Sequence, residues 1–246
     1  MLLFEYYLQK IKTTMKAVDF VTPVTEQPEE WKTTYAKTYP RFALIPLETP
    51  STVPKPADLW SVLKSRRSAS SFDKDISKSK LSMWLYYSLG TVTDTKSLPA
   101  EAPRRMHPSA GGYYPLEAYL LLLRPIDDIS PGVYHYDLRH HGLRLINPDT
   151  ITSQELATVT AQDHFATAQG VLLLTAVWQR SAKKYGERAY KHILIETGTI
   201  IQNAALAATA LEFNTCQAGV FANDLIEPLL GIDGYQEAHI HSLCFG

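Results

Sequence analysis

Two adjacent glycines lie in a loop that leads directly into an apolar strand. The loop reads His-Pro-Ser-Ala-Gly-Gly-Tyr-Tyr-Pro from His107, and residues 116–123 behind it are too apolar to face water. Gly111 and Gly112 lack a Cβ, so the backbone there can take a positive φ or let a flat ligand lie against its amides. A strand anchored in the core holds such a loop rigidly. The pattern therefore predicts a ligand site at this loop.

A basic corner, Arg66-Arg67-Ser68, follows the first compact helical pattern of the chain. Two guanidinium groups and a hydroxyl are donors that suit a phosphate monoester. Taken alone, such a corner is more often a solvated turn than a ligand site. We therefore treat it as a phosphate site only in combination with other motifs.

A lysine with a tyrosine beside it is the candidate for proton transfer. Lys184 and Tyr185 follow Lys183 at the start of a long helical pattern. A neighbouring cation such as Lys183 favours the neutral amine of Lys184, and the neutral amine is the form that can act as a base. The alternative is that the pair is a solvated strand exit that caps the following helix.

Several common chemistries lack their motifs. The chain has no Gly-x-Gly-x-x-Gly after a strand and no phosphate-binding P-loop, and Ser109 does not lie in a Gly-x-Ser-x-Gly elbow. The pair His140-His141 falls in a predicted turn, and His239 and His241 are expected to share one strand face. Neither pair has an evident third ligand, so we expect no metal site.

Composition excludes several classes of protein. The chain has 246 residues, of which 45% are apolar and 20% charged, and its net charge is -1. Such a balance gives no overall attraction to nucleic acid or to anionic lipid. Cys216 and Cys244 are too few for a disulfide framework and are expected to be small buried side chains. No signal peptide is recognisable, and the apolar runs are strand-sized, so we expect no membrane span and a cytoplasmic protein.

The chain divides into an N-terminal arm, residues 1–56, and a compact domain, residues 57–246. Seven of the fifteen prolines lie between Pro23 and Pro56, which is typical of an irregular segment that wraps a surface. The compact pattern begins at Asp58, an expected N-cap, and continues as a short helix whose apolar stripe is Leu59, Val62 and Leu63.

The domain mixes helices and strands without a repeating βα alternation, so its fold class is predicted to be α+β. We expect a helix between Ser77 and Gly90, a hairpin over 133–137 and 143–146, a doubly buried strand over 171–178 and a last strand over 240–245. The dominant helix is predicted from Gly186 to Leu211, with Asn214 as its left-handed cap.

Taken together, the motifs resemble one known family. The basic corner with Phe72 and the glycine loop are followed, in order, by Gly132-Val133-Tyr134-His135-Tyr136-Asp137, Glu196-Thr197-Gly198 and Gln202-Asn203. This ordered set, over residues 58–246, resembles the SagB-type dehydrogenases of the nitroreductase fold. Those flavin enzymes oxidise thiazolines and oxazolines to thiazoles and oxazoles in ribosomally made peptides.

The resemblance implies an FMN-dependent homodimer with flavin at the subunit interface and a mostly antiparallel sheet flanked by helices, one of them long and central. It implies base catalysis by Lys184 and Tyr185. The positions that it assigns to the cofactor are Arg66, Arg67, Ser68, Ser70, Pro108, Ser109, Ala110, Gly111, Asn203, Gln217, Ala218 and Gly219. Of these, Gln217 to Gly219 would form a turn whose backbone approaches flavin N5.

Two departures from the family pattern concern the flavin phosphate. The family usually has a basic residue where this chain has Ser70, and many relatives carry a further cation beyond the last strand, whereas the sequence stops at Gly246. The phosphate would then meet fewer cations than usual. We expect weaker retention of FMN, or compensation by Arg104 or Arg105.

The leading functional expectation is a peptide azoline dehydrogenase whose substrate is a modified precursor peptide and whose partner is a cyclodehydratase. One alternative is a general nitroreductase or quinone reductase that uses NAD(P)H. Another is a non-catalytic subunit of a peptide-modifying complex, suggested by Ser70 and the short C-terminus. The sequence does not identify the peptide or the kind of ring.

Overall fold

A seven-stranded antiparallel sheet forms the centre of the molecule. The computed structural model describes residues 36–50, 57–92 and 104–246. The strands lie in the order β1-β4-β3-β2-β5-β7-β6 and all pair in antiparallel fashion. Their bounds are β1 Leu44–Pro46, β2 Leu116–Leu122, β3 Gly132–Asp137, β4 Gly142–Asn147, β5 Gly170–Val177, β6 Thr215–Ala218 and β7 Glu237–Phe245.

Helices cover both faces of this sheet, so the predicted α+β class is confirmed. In chain order they are α1 Leu59–Ser65, α2 Lys78–Leu89, α3 Ser153–Thr160, α4 Gln179–Tyr185, α5 Ala189–Ala210 and α6 Asn223–Leu230. On one face α2 and α5 pack together, where the Trp84 indole donates to the Ala204 carbonyl over 2.8 Å. On the other face, α3 and α6 enclose a second core around Phe165.

The central strands separate two hydrophobic cores. Every residue of β2 is buried, and β5 is buried from Gly170 to Ala176, as predicted for the run 171–178. Leu172 and Leu174 belong to the core under α2 and α5, whereas Val171 and Leu173 belong to the other core. Alternate side chains of a strand point to opposite faces. A strand between two helical layers is therefore apolar at nearly every position, which explains the almost continuous apolar sequences of β2 and β5.

Local signals placed the first two helices correctly. Asp58 caps α1 by accepting a hydrogen bond from Ser61 N (3.0 Å), and Ser77 caps α2 by accepting one from Lys80 N (3.3 Å). The apolar stripe of α1 is nevertheless exposed in the single chain, with Leu59 at 56% and Leu63 at 44%. The predicted helix is therefore present, but its apolar stripe does not pack into the core of this chain and could contact a partner.

Part of the N-terminal arm packs on the domain. Residues 44–46 form the edge strand β1 against β4. Lys37 lies against two other strands of the sheet. Its Nζ is 2.6 Å from Glu237 on β7, and its backbone N donates to Glu117 on β2. Residues 1–35 and 51–56, on which the prediction of a wrapping arm largely rests, lie outside the described residues.

The long helix begins later than its sequence pattern predicted. Gly186 takes a φ of 54°, and residues 186–188 form a one-turn 3₁₀ helix that separates α4 from α5. At the other end the left-handed residue is Glu212, with a φ of 61°, and not Asn214. Asn214 instead pairs its backbone with Gly246. The apolar periodicity predicted the body of the helix but not the residues at which it begins and ends.

By length and composition alone, residues Gln179–Ala210 form one segment that could cross a membrane, and 44% of its most apolar window is buried inside the protein. Helices of protein cores pass the same test. Nothing else in the described residues passes it.

A bulge in β7 separates two histidines that the sequence placed on one face. His239 lies opposite Thr175 and His241 lies opposite Leu174, with a register shift between the two pairs. Thr175 and Leu174 are consecutive, so their side chains and those of the two histidines point to opposite faces. The expectation of a shared face was therefore wrong. His239 instead bonds Asn223 and Ser242, each over 2.8 Å.

We expect the free energy of unfolding to fall as the pH drops from 6.5 towards 4. Burial lowers the pKa of His239 from 6.5 to about 4. Below pH 6.5 the imidazole of His239 binds a proton in the unfolded chain but stays neutral in the native state. The stability of the native state is therefore full above pH 6.5, and this contribution is lost by about pH 4. The loss amounts to about 3 kcal/mol. Urea unfolding at pH 7 and pH 4.5 measures it.

His239→Asn is the matched control, because an asparagine can keep hydrogen bonds to Asn223 and Ser242 without titrating. The variant should lose less stability than the wild type over the same pH interval. An identical pH slope in both proteins would assign the acid sensitivity to other groups.

Candidate functional site

The glycine loop has the left-handed backbone that its sequence predicted. Residues Ala110–Gly112 form a single 3₁₀ turn, in which Gly111 has a φ of 63° and Gly112 a φ of 69°. Side chains with a Cβ rarely adopt such angles. The strand β2 begins at Leu116 and is buried throughout, which fixes the loop to the core.

The helix α4 brings the lysine–tyrosine pair to this loop. A Cβ added to Gly111 would lie only 2.7 Å from the Tyr185 hydroxyl and 2.8 Å from Tyr113 Cε2. The ammonium group of Lys184 lies 5.8 Å from the centre of the Tyr113 ring and 5.7 Å from that of Tyr185. Both residues of the pair are half-buried. Two segments about 70 residues apart in the sequence therefore form one site, and glycine at 111 permits their close approach.

The tyrosines of this site remain protonated at neutral pH. Burial, with the neighbouring Tyr185, raises the pKa of Tyr113 to about 12, and burial also raises the pKa of Tyr185. The Tyr185 phenol can therefore donate a hydrogen bond to a group bound at the glycine loop.

A buried carboxylate anchors the start of the loop. The Ser109 hydroxyl donates to Glu196 Oε2 over 2.5 Å and accepts from Tyr114 N over 2.9 Å. Glu196 lies on α5, and its other oxygen lies 3.5 Å from His107 Nε2. With its proton directed at Glu196, the hydroxyl ties the loop to the long helix, so a cofactor contact at Ser109 would come from its backbone or a remaining lone pair.

A second tether to the long helix precedes the loop. Asn203, half-buried on α5, donates through its side-chain amide to the Met106 carbonyl over 3.1 Å. Met106 lies just before the loop residue Pro108, which is exposed. The helix thus supports the loop at Asn203 and at Glu196.

The segment predicted as a turn near flavin N5 is largely a strand. Gln217 and Ala218 end the edge strand β6, and Gly219 follows it. The side-chain oxygen Oε1 of Gln217 lies 3.0 Å from His241 Nε2, on the adjacent strand. A Cβ at Gly219 would meet no atom within 4 Å, so the backbone there is open to a ligand.

The basic corner lies beside the start of that strand. Ala69 N donates to the Thr215 carbonyl over 3.0 Å, which joins residues 66–70 to β6. The Arg67 guanidinium donates to the carbonyls of Lys64 and Arg66, each over 2.8 Å, and so caps the end of α1. Arg66 is half-buried, and the side chains of Ser68 and Ser70 are exposed.

The additional cation beside this corner is Lys74. It lines a cavity of about 320 Å³ together with Arg67 and Asn214. Arg104 and Arg105, named above as possible compensating cations, lie instead at the glycine loop. Arg104 Nη1 is 3.9 Å from a Cβ added to Gly112, and the Arg105 guanidinium is 4.5 Å above the Tyr114 ring.

The two histidines of the predicted turn, His140 and His141, have structural partners. His140 lies 2.9 Å from Asp137, and His141 lies between Ser82 and Tyr136 at 2.9 and 2.8 Å. Within the described ranges, no group of three His, Cys, Asp or Glu side chains could hold a metal ion.

Sequence reasoning assigned no role to three buried charged residues of this region. Glu196 was part of a recognised motif, but its contact with Ser109 depends on helix packing. Glu117 and Arg180 are 7% and 8% exposed and meet beneath the loop. A glutamate inside the otherwise apolar strand 116–123 was the available signal, because a buried charge requires a partner.

Comparison with known proteins supports a common origin for this fold. The model of the nitroreductase family matches residues 63–246. The Methanocaldococcus jannaschii protein MJ1384, named as a nitroreductase, is 30% identical over 178 residues, which is 72% of this chain and 86% of that protein. The trifolitoxin-processing protein TfxB of Rhizobium leguminosarum is 30% identical over 152 residues, 59% of this chain and 41% of TfxB.

Two solved structures extend the comparison. A protein of Anabaena variabilis, described as a nitroreductase, superposes with a TM-score of 0.72 and 25% identity over 98% of this chain and 45% of its own length. A chain of the Escherichia coli microcin synthetase McbBCD complex, with truncated pro-MccB17 bound, gives a TM-score of 0.60 and 19% identity, covering 99% and 90% of the two chains.

This chain therefore spans less than half of TfxB and of the Anabaena protein. It spans most of MJ1384 and of the microcin synthetase chain. The nitroreductase-like fold is confirmed, with its antiparallel sheet and long helix. On the extent of the family match, this chain belongs to the nitroreductase family.

Proposed function

We propose that this protein is an FMN-dependent oxidoreductase that oxidises azoline rings in a ribosomally made peptide to azoles. The observation that carries the proposal is the contact of Tyr185 with the glycine loop. The Tyr185 hydroxyl would lie 2.7 Å from a Cβ at Gly111, so the lysine–tyrosine pair faces the backbone on which a flat ring can lie. Relatives described as nitroreductases in complex with FMN share the fold.

The described residues fit this cofactor. The left-handed glycines expose backbone without a Cβ, which suits a flat ring, and Arg66 with Ser68 offers donors for a phosphate. FMN bound here would accept a hydride from the substrate carbon and later pass the electrons to oxygen. The cations of the corner, with Lys74 nearby, would hold its phosphate.

The protein supplies the proton transfer. Oxidation of an azoline removes one proton and one hydride from adjacent ring atoms, and we assign the proton to Lys184 Nζ. Tyr185 stays protonated, because burial raises its pKa, and would orient the ring by donating a hydrogen bond. Tyr113 packs edge-on against Tyr185, with ring centres 5.9 Å apart, and limits the movement of that phenol.

Relatives support a peptide substrate and a multiprotein setting. TfxB is named as a trifolitoxin-processing protein, and the microcin synthetase complex holds truncated pro-MccB17. We propose that a modified precursor peptide is the substrate, that a cyclodehydratase supplies the azolines, and that the reaction takes place in the cytoplasm, where ribosomes make the peptide.

A homodimer is part of the proposal. Apolar side chains on α1 and α5 are exposed in the single chain, among them Trp60 at 73% and Ile195 at 55%. Exposed apolar residues that cluster on packed helices favour a subunit contact.

The proposal is tested on the purified protein with an azoline-containing peptide. A flavin absorption band and the loss of two hydrogens per ring by mass spectrometry are expected. A protein that stays colourless after FMN titration, yet co-purifies with a cyclodehydratase, would be a non-catalytic subunit instead.

The similarity to MJ1384 favours a second candidate, a nitroreductase or quinone reductase that uses NAD(P)H. Rapid bleaching of the flavin by NADPH without oxygen would support this candidate. Inertness towards NADPH, together with azoline oxidation, would exclude it.

A further inference from the structure

A buried carboxylate lies directly behind the glycine loop. Glu117 is the second residue of β2 and is 7% exposed. Its Oε1 accepts from Lys37 N over 2.9 Å and lies 2.6 Å from Arg180 Nη1, and its Oε2 lies 3.0 Å from His135 Nε2. Three elements, namely the arm, β3 and α4, therefore meet at one carboxylate.

Arg180 connects this carboxylate to the helix of the lysine–tyrosine pair. It lies on α4 one helical turn before Lys184 and is 8% exposed. The same nitrogen that contacts Glu117 also donates to the Tyr114 carbonyl over 3.3 Å. Tyr114 ends the glycine loop with a φ of 46°, and its N–H is held by Ser109. One cation therefore ties α4 to both ends of the segment between loop and strand.

We propose that Glu117 and Arg180 form a positioning clamp that sets Lys184 and Tyr185 against the glycine loop. The inference rests on the proposed role of Lys184 in proton transfer. Since α4 has only seven residues and is followed by the 3₁₀ turn at Gly186, a fixed point at Arg180 determines where the rest of the helix lies. The clamp touches neither substrate nor cofactor and acts through the pair that does.

Stability alone gives a weak reason for placing this pair in the interior. Burying two charges costs about as much as their attraction returns, and apolar residues of equal size are often as stable. A charged pair does, however, impose a direction that apolar contacts lack. Burial raises the pKa of Glu117, but the His135 hydrogen bond and the Arg180 charge outweigh it and lower the pKa to about 2. The Glu117 carboxylate therefore stays ionised wherever the enzyme would work.

The test removes both charges together, because Arg180→Met alone would leave Glu117 buried without its cation. In Glu117→Gln/Arg180→Met we expect full FMN stoichiometry, a kcat for azoline oxidation ~10–100-fold lower and a KM within about twofold of wild type. Backbone amides of residues 179–185 should exchange with deuterium about tenfold faster. The single variant Arg180→Lys, which keeps the charge and leaves Glu117 in place, should have a kcat much closer to that of the wild type.

A second buried ion pair provides the matched control. Arg144 Nε lies 2.7 Å from Asp137 Oδ2, with side chains 12% and 1% exposed, in the β3–β4 hairpin. Asp137→Asn/Arg144→Met should lower the unfolding midpoint about as much as Glu117→Gln/Arg180→Met does. It should leave kcat and the exchange of α4 unchanged. Equal loss of kcat in both double variants would overturn the clamp, as would unchanged kcat and exchange in the Glu117/Arg180 variant.

The exchange measurement separates this inference from the proposed function. It needs neither substrate nor cofactor, so it reports on α4 whatever the reaction is. A wild-type protein that does not oxidise azolines would contradict the proposed function, whereas unaltered exchange in the double variant would contradict the clamp.

Discussion

Lys184→Ala should lower kcat for azoline oxidation by ~10²–10⁴ while FMN stays bound, because general-base catalysis contributes about that much. The side chain lies 5.8 Å from the Tyr113 ring centre at the glycine loop, and it is half-buried rather than fully solvated. Without it, the amine to which we assign the ring proton is lost. Steady-state rates at saturating peptide, with the flavin spectrum of each preparation, measure the two effects separately.

Lys183→Ala is the control, because its ammonium group lies at a comparable 5.1 Å from the same ring. We expect it to lose less than about tenfold in kcat, since only a neighbouring charge is removed. Tyr185→Phe should fall between the two lysine variants. Loss of flavin from Lys184→Ala, or equal rates for both lysine variants, would contradict the role assigned to Lys184.

Local signals in the sequence account for the parts of the fold that were predicted well. The N-caps Asp58 and Ser77 act within three residues of themselves, and the strand 171–178 is apolar because both of its faces are buried. The positive φ of Gly111 likewise follows from the residue type. Each of these features is signalled by residue types within a short stretch of sequence.

Other elements were missed although a local signal existed. The helix α3 begins with a capping box, in which Thr152 and Glu155 bond each other's backbone. The Thr-Ser-Gln-Glu sequence is the usual sign of such a start. The helix α6 contains Pro228, which weakens a helical pattern, and ends at the left-handed Gly231.

The contacts that organise the site could not be predicted, because they join distant segments. Ser109 and Glu196 are brought together by the packing of α5 on the sheet, and Glu117 meets Arg180 across β2 and α4. The bulge at residue 240 depends on register with β5 rather than on any residue preference. Motif order identified which segments matter, whereas the distances between them required the fold.

Gly111→Ala should be the most damaging single methyl group that can be added at the loop. Its φ of 63° costs an L-residue about 1–2 kcal/mol. The new Cβ would also lie 2.7 Å from the Tyr185 hydroxyl and 2.8 Å from Tyr113 Cε2, so both rings must move. Displacement of Tyr185 also displaces its neighbour Lys184. We expect kcat to fall by ~10²-fold and FMN affinity to drop, as measured by turnover and by flavin titration.

Gly112→Ala separates the two causes. Its φ of 69° imposes the same backbone strain, but the nearest atom to a new Cβ is Arg104 Nη1 at 3.9 Å, an ordinary contact. This variant should lose only the stability that the backbone strain costs, and much less activity than Gly111→Ala. If both alanine variants lost equal activity, backbone strain rather than the approach of Tyr185 would control the site. A Gly112→Ala variant that is more active than Gly111→Ala would instead show that the loop's function depends on free space at Gly111, where the side chains of α4 lie.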